Sequence, residues 1–260
     1  FDTRHRNLVI QNIQLAYPDQ MTTAAAAAFA KKNFRHTASI LFEVIWSYSQ
    51  PSEKLFNHFV IKGLEHVDAA RKKGRGIMVV SCHMGIFELV IPAVASVDIR
   101  LHILYRQLDY PPLEWLMLEL RQRFGITMVP LRGASSKIAR ILEENGIVAT
   151  LLDQNVDWYK GVFVDFFGRP ACTNSGLAKL VIKSRPVVLP AFITKKNDQY
   201  HLEVLPEIPV IITGDPIKDI ENNTQAYVSA IESMVRQCPE QYFWVHNRWK
   251  TKPFCELDKR

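Results

Sequence analysis

The chain has 260 residues, of which 48% are hydrophobic and 22% charged, with a formal net charge of +6. Those proportions allow one substantial core or two modest ones and exclude a chain dominated by disorder. No run of Lys or Arg resembles a nucleic-acid arm, and neither zinc-finger spacing nor a basic heptad occurs, so nucleic acid is not an expected partner; the positive excess suits an acidic one, such as an anionic lipid surface or an acidic carrier protein.

In chain order, "TTAAAAAFAKK" reads as a helix capped by Thr22 or Thr23, and Leu41 to Ser49 continues the helical theme. "GIMVVSC" (Gly76 to Cys82) is a short apolar run rich in β-branched residues and reads as a buried strand. "IRLHILYR" predicts a second strand. "PLEWLMLELRQRFG" has apolar residues at helical spacing and a glycine stop. "ITMVPL" is a third strand, "ASSKIARILEENG" a helix with Ser135 or Ser136 at its cap, and "IVATLLDQ" a fourth strand. "TNSGLAKLVIKS" reads as a helix, "RPVVLPAFI" as a fifth strand, and "YHLEVLPEI" alternates as an edge or antiparallel strand would. "NTQAYVSAIESMVRQCP" is a late helix.

Strand and helix alternate from residue 76 to 195, the mark of an α/β fold with a central, mostly parallel sheet flanked by helices. With no linker in view, the expectation is a single domain over residues 1–260 whose first 60 residues form a helical N-terminal portion. No apolar run approaches the ~18 residues of a membrane-spanning helix. The chain opens on Phe1, so a preceding segment, the place for an anchor or signal, is expected to be missing. Cys82, Cys172, Cys238 and Cys255 are widely separated, which points away from a metal knuckle and towards a reducing compartment.

In open α/β sheets, ligands gather where strands end. His83 and Glu88 follow the first of these strands, Arg106 closes the second, and Asp153 and Gln154 close the fourth. A spacing of five is wrong for one helical face. His83 and Glu88 can meet only if His83 sits in a turn, which Gly85 eases, and Glu88 in the first turns of the next helix. Such a pair suits general-base work: the imidazole takes a proton from a hydroxyl, and the carboxylate fixes the tautomer and stabilises the imidazolium. A buried histidine satisfied by a carboxylate for purely structural reasons fits the spacing equally well. Cys82, in an apolar strand, reads as core, with a nucleophilic role as the minor alternative.

Two further stretches are rich in aromatic and basic residues. "DQNVDWYKGVFVDFFGRPACTNSG" carries Lys160 and Arg169 among its rings and reads either as a hairpin packed on the core or as the wall of an apolar tunnel, with cations on head groups. The helix expected to open at Thr173 to Gly176 can hold an anion. "FWVHNRWKTKP", with Arg248, reads either as a terminal strand with a solvated basic face or as a contact for phosphate or a carrier protein.

Four stretches, "SCHMGIFE", "YRQLDYPPLEWLMLELRQRFG", "DQNVDWYKGVFVDFFGRPACTNSGLAKL" with "VVLPAFI", and "WVHNRWKTKP", together resemble the lipid A biosynthesis acyltransferases, the late lauroyl/myristoyl transferases. "RHRNLVIQNIQLAYPD" resembles that family's opening. The resemblance covers nearly the whole chain. It implies a glycerol-phosphate-acyltransferase-like fold with a membrane-facing surface, and transfer from a thioester donor (acyl carrier protein or acyl-CoA) to a hydroxyl on a lipid acceptor, with no cofactor. It makes His83 the general base and Glu88 its partner, sets Arg106 against the oxyanion or an acceptor phosphate, and has Asp153 orient a partner or Arg106. The implied location is the cytoplasmic face of the inner membrane, peripheral or N-terminally anchored. The family begins with an anchoring apolar segment that this chain lacks. "FFGRPACTNSG" also lacks the glutamate of the glycerol-phosphate acyltransferases, which argues against a glycerophosphate acceptor. Another polar lipid acceptor, such as a phosphatidylinositol mannoside or an amino-acid lipid, and a catalytically silent lipid- or carrier-binding module remain as alternatives.

Overall fold

The computed structural model of the protein describes residues 3–107 and 109–254; Phe1 and Cys255, named above, lie outside them. In chain order the first elements are α1 (Thr3–Ala16), α2 (Thr23–Ser49), α3 (Ser52–Phe56), β1 (Phe59–Lys62), α4 (Leu64–Lys72) and β2 (Ile77–Ser81). Next come α5 (Val90–Ala95), β3 (His102–Tyr105), α6 (Pro111–Gln122), β4 (Thr127–Pro130), α7 (Ser135–Glu143) and β5 (Ile147–Leu151). The chain then forms β6 (Gly161–Phe166), β7 (Arg169–Asn174), α8 (Gly176–Ser184), β8 (Val187–Lys196), β9 (Gln199–Val204) and α9 (Pro216–Gln237). The helical opening is as expected, and Thr22 is the cap of α2: its Oγ1 accepts the Ala25 N–H at 3.2 Å.

The chain divides into two compact units. Residues 41–151 and 183–210 make a sheet unit. Among the described residues it holds a seven-stranded sheet in the order β1-β9-β8-β2-β5-β3-β4. The central run β8-β2-β5-β3-β4 is parallel, as the alternating sequence predicts. β2 lies between β5 and β8, with Met78 opposite both Val148 and Val188. Its Ile77, Met78 and Val80 are fully covered, so the apolar run is explained by burial on both faces. "YHLEV" forms β9, antiparallel to β8, but it is not an edge: β1, a strand the sequence reading passed over, pairs parallel on its far side. "FVIK" is too short and too near a helix for its period to register.

Pro190 sits inside β8, where a proline costs a ladder hydrogen bond. The register explains its tolerance. β8 pairs with β2 through Val187–Pro190 and with β9 through Ala191–Lys196, so Pro190 stands where the strand changes partners.

Residues 3–40, 152–182 and 211–254 make the described part of the second unit, here the hairpin unit. The aromatic stretch is a β6–β7 hairpin, antiparallel from Gly161↔Asn174 to Phe166↔Arg169, as the packed-hairpin alternative has it. Phe166, Phe167, Trp244 and Trp249 are buried, with Phe166 5.7 Å from Trp249 and Phe167 5.8 Å from Trp244.

Three local expectations need correction. Thr173 belongs to β7 and α8 opens only at Gly176, because Asn174 Oδ1 accepts the Gly176 N–H at 2.7 Å and ends the strand there. The tail from Phe243 is not a strand: Trp244, Arg248 and Trp249 point inward too irregularly for a period of two. α7 has Ala134 in its cap position and no side-chain cap.

Candidate functional site

β2 ends at Ser81, and the chain turns through Cys82–Ile86 into a 3-10 helix, Phe87–Leu89, that runs on into α5. Met84 N–H reaches back to Cys82 O at 2.9 Å, tightening the turn around His83. Gly85 makes the turn possible. Its φ is +61°, and a Cβ there would lie 2.0 Å from Ile193 O of β8. Only a glycine lets the backbone pass that close. Gly85→Ala is therefore expected to cost about 2 kcal/mol or more in urea unfolding, through both the left-handed backbone and the collision. A Gly85→Ala chain as stable as its parent would show that the turn relaxes freely.

His83 is half-buried, with the Phe87 ring edge-on at 5.0 Å. Glu88 lies in the middle of the 3-10 helix rather than in the first turn of an α-helix, and its carboxylate is gripped by a residue the sequence reading missed. Arg121 of α6 donates through Nη2 to Oε1 at 2.8 Å and through Nε to Oε2 at 3.3 Å. Both side chains are largely covered, Arg121 15% and Glu88 18% exposed. A planar fork on a carboxylate fixes its orientation in a way a lysine cannot. Two residues on, Arg123 donates to Tyr48 O at 2.6 Å and Gln50 O at 2.7 Å, fastening the end of α6 to the last turn of α2 and the residue just past it. The R-x-R spacing in "LRQRFG" was the available signal, but period alone reads it as the polar face of a helix.

Tyr48 packs behind this ion pair, and its hydroxyl is buried with no hydrogen-bond partner among the described residues. Burial, then the Glu88 charge, pushes its pKa up to about 12, against opposing pulls from Arg121 and Arg123. The folded pKa lies above the unfolded one, so the folded state keeps the proton longer. Stability is then lost as pH rises through 10 towards 12, because ionising Tyr48 costs more in the folded chain than in the unfolded one. Tyr48→Phe is expected to leave stability at pH 7 unchanged or slightly higher and to flatten the decline between pH 10 and 12 in pH-dependent urea unfolding. An unaltered alkaline slope would remove Tyr48 as its source.

The other candidates are placed as follows. Arg106, just past β3 in the sheet unit, is well exposed and pairs with Asp109 at 3.1 Å. In the hairpin unit Asp153 is buried and Gln154 exposed. Arg169 donates through Nε to Leu15 O at 2.8 Å, tying β7 to α1. Arg248 is 2% exposed; it donates to Cys172 O at 3.0 Å and to Thr173 Oγ1. Burial pulls its pKa down, while Tyr242, Asp153 and Cys172 pull the other way. Cys82 and Cys172 are buried thiols outside any disulfide, and burial pushes Cys172 up. Among the described residues no helix is long and apolar enough to cross a membrane, and no group of three or more His, Cys, Asp or Glu side chains is placed to hold a metal ion.

The family described as bacterial lipid A biosynthesis acyltransferase matches residues 1–251. The chain belongs to that family. The lipid A biosynthesis lauroyltransferase of Escherichia coli (strain K12) is 26% identical over 97% of this chain and 81% of its own length. The lipid A biosynthesis palmitoleoyltransferase of the same strain is 28% identical over 98% of this chain and 82% of its own length. A phosphatidylinositol mannoside acyltransferase of Mycobacterium tuberculosis (strain ATCC 25618 / H37Rv) is 24% identical over 73% of this chain and 60% of its own length. Membership makes this chain an enzyme of the O-acyltransferase class, and the resemblance carried by "SCHMGIFE" and "WVHNRWKTKP" holds across the chain.

Proposed function

We propose that the protein moves a fatty acyl group from an acyl-thioester, acyl carrier protein or acyl-CoA, to a hydroxyl of a lipid A precursor at the cytoplasmic face of the inner membrane. The observation that carries this is a half-buried imidazole just past the end of the central strand, held in a glycine-dependent turn, with a clamped carboxylate in the short helix that follows. His83 takes the proton as the acceptor oxygen attacks the thioester carbonyl carbon. The C–S bond then breaks, and the imidazolium returns that proton to the departing thiolate, leaving an ester and a free thiol. No covalent enzyme intermediate is needed. Glu88, oriented by Arg121, keeps the imidazole in the right tautomer and stabilises its cation.

Exposed apolar side chains support contact with a membrane: Leu41, Phe42 and Ile45 on α2, and Trp115 and Leu116 on α6. Arg106, exposed at the end of β3, is the candidate for the oxyanion or an acceptor phosphate. The guanidinium groups of Arg169 and Arg248 are already engaged by backbone carbonyls, which favours framework roles for them.

Mass spectrometry of lipid A from cells lacking the gene, set against complemented cells, tests the reading. An added acyl mass on lipid A only in complemented cells is the expected result. The mannoside-lipid relative favours one second reading, a different polar lipid acceptor; lipid A identical in both strains, with an acyl difference in another lipid, would establish it. A chain that neither transfers acyl groups nor slowly hydrolyses an acyl-thioester would be a silent binding module.

A further inference from the structure

The hairpin unit contains a cleft of about 770 Å³, and none of His83, Glu88 and Arg121 lines it. Its walls come from three places: the first turns of α1, the segment Asn155–Lys160, and the tail Val245–Lys250. A volume within the usual 300–1,000 Å³ of small-ligand sites suits a sugar-sized group better than the broad face of a protein.

The lining is polar and cationic. Arg4, Lys160 and Lys250 face it against the single carboxylate of Asp157, and that carboxylate receives the Tyr159 O–H at 3.1 Å. Asn7, Gln11 and Asn247 add amide groups. The walls are preorganised by hydrogen bonds between all three segments. Asn12 Nδ2 donates to Trp244 O and His246 O, both at 2.9 Å. The Asn155 N–H donates to His246 Nε2 at 2.7 Å, which leaves the proton of a neutral His246 on Nδ1. Asn155 and Thr251 exchange two bonds, Nδ2 to Oγ1 at 3.0 Å and Thr251 N–H to Oδ1 at 3.1 Å. Asn155, His246 and Thr251 thus build the walls, and Lys160 and Lys250 stand exposed beside them. A rigid, positively charged hollow rich in hydrogen-bonding groups has the chemistry for phosphate on a sugar.

We propose that this cleft binds the phosphorylated sugar headgroup of the acceptor, with Lys160 and Lys250 contacting phosphate. The choice of ligand rests on the acyl-transfer reading; the site itself does not. The test is calorimetric titration of the full chain carrying His83→Ala, with and without Lys160→Gln and Lys250→Gln together, against an unacylated disaccharide bisphosphate. Both lysines are exposed, so thermal unfolding should be unchanged. The expected result is binding that weakens about tenfold when either the two lysines or the two phosphates are removed, with inorganic phosphate a weak competitor. In the chain with His83 intact, the lysine pair should raise KM for the acceptor and leave kcat within about twofold.

Equal binding by the lysine variant overturns the proposal, as does no binding of the bisphosphate by the parent. So does a lysine effect confined to phosphatidylglycerol vesicles or to an acidic carrier protein, which would assign the cleft to a membrane surface or to the donor. Because binding is measured without turnover, its failure leaves the role of His83 standing. Intact binding beside an inactive His83-containing enzyme would sink the acyl-transfer reading alone.

Discussion

His83→Ala is expected to lower the rate of acyl transfer by two to four orders of magnitude, about the contribution of a positioned general base, while thermal unfolding stays within a degree or two of the parent. The side chain is half-buried and lies past the end of β2, beside the Phe87 ring and outside the fully covered Ile77, Met78 and Val80 of that strand, so truncation spares the core. Glu88→Gln keeps the shape but loses the carboxylate proposed to stabilise the imidazolium, and should fall less, by one to three orders. It also leaves Arg121 facing a neutral amide in a covered site, so some stability is lost as well. Arg121→Lys separates these effects. A lysine keeps the charge but cannot hold both oxygens, so transfer should drop while folding is largely kept. Single-turnover transfer from an acyl-thioester, read beside urea unfolding, resolves all three. Wild-type rates in both His83→Ala and Glu88→Gln would leave the dyad without a role.

The sequence exposes the frame of the sheet unit because burial on both faces writes long apolar runs, as in "GIMVV" and "VVLPAFI". It exposes His83 and Glu88 because two polar groups inside such a run carry a cost that packing alone does not repay. It hides what depends on distance along the chain. Arg121 stands 33 residues from Glu88, and nothing local distinguishes it from a solvated arginine on a helix face. β1 is legible only through its partner β9, which lies about 140 residues further on. The basic tail misleads for a related reason: an arginine in a run of cations reads as surface, yet Arg248 is buried, because the carbonyl and hydroxyl that receive it come from β7.

Arg248→Met is expected to destabilise the hairpin unit by about 3–5 kcal/mol, the usual cost of leaving a buried charge without its partner. Asp153, 3% exposed, loses the cation that its charge favours. Cys172 O and Thr173 Oγ1 lose their donor in the same step. Arg248→Lys should recover only a minor part, since a single ammonium cannot serve the Cys172 carbonyl and the Thr173 hydroxyl with the geometry of the planar fork. Pairing Arg248→Met with Asp153→Asn should cost less than the sum of the two, because the second change removes the negative charge whose opposing cation the first takes away. Urea unfolding followed by tryptophan fluorescence is the measurement, with Trp244 and Trp249 buried on either side of Arg248 as reporters. If Arg248→Met instead keeps full stability and loses only affinity for a phosphorylated acceptor, the guanidinium belongs to substrate contact. The tail, which forms no strand, is then anchored without it, through Asn12, Asn155, His246 and Thr251.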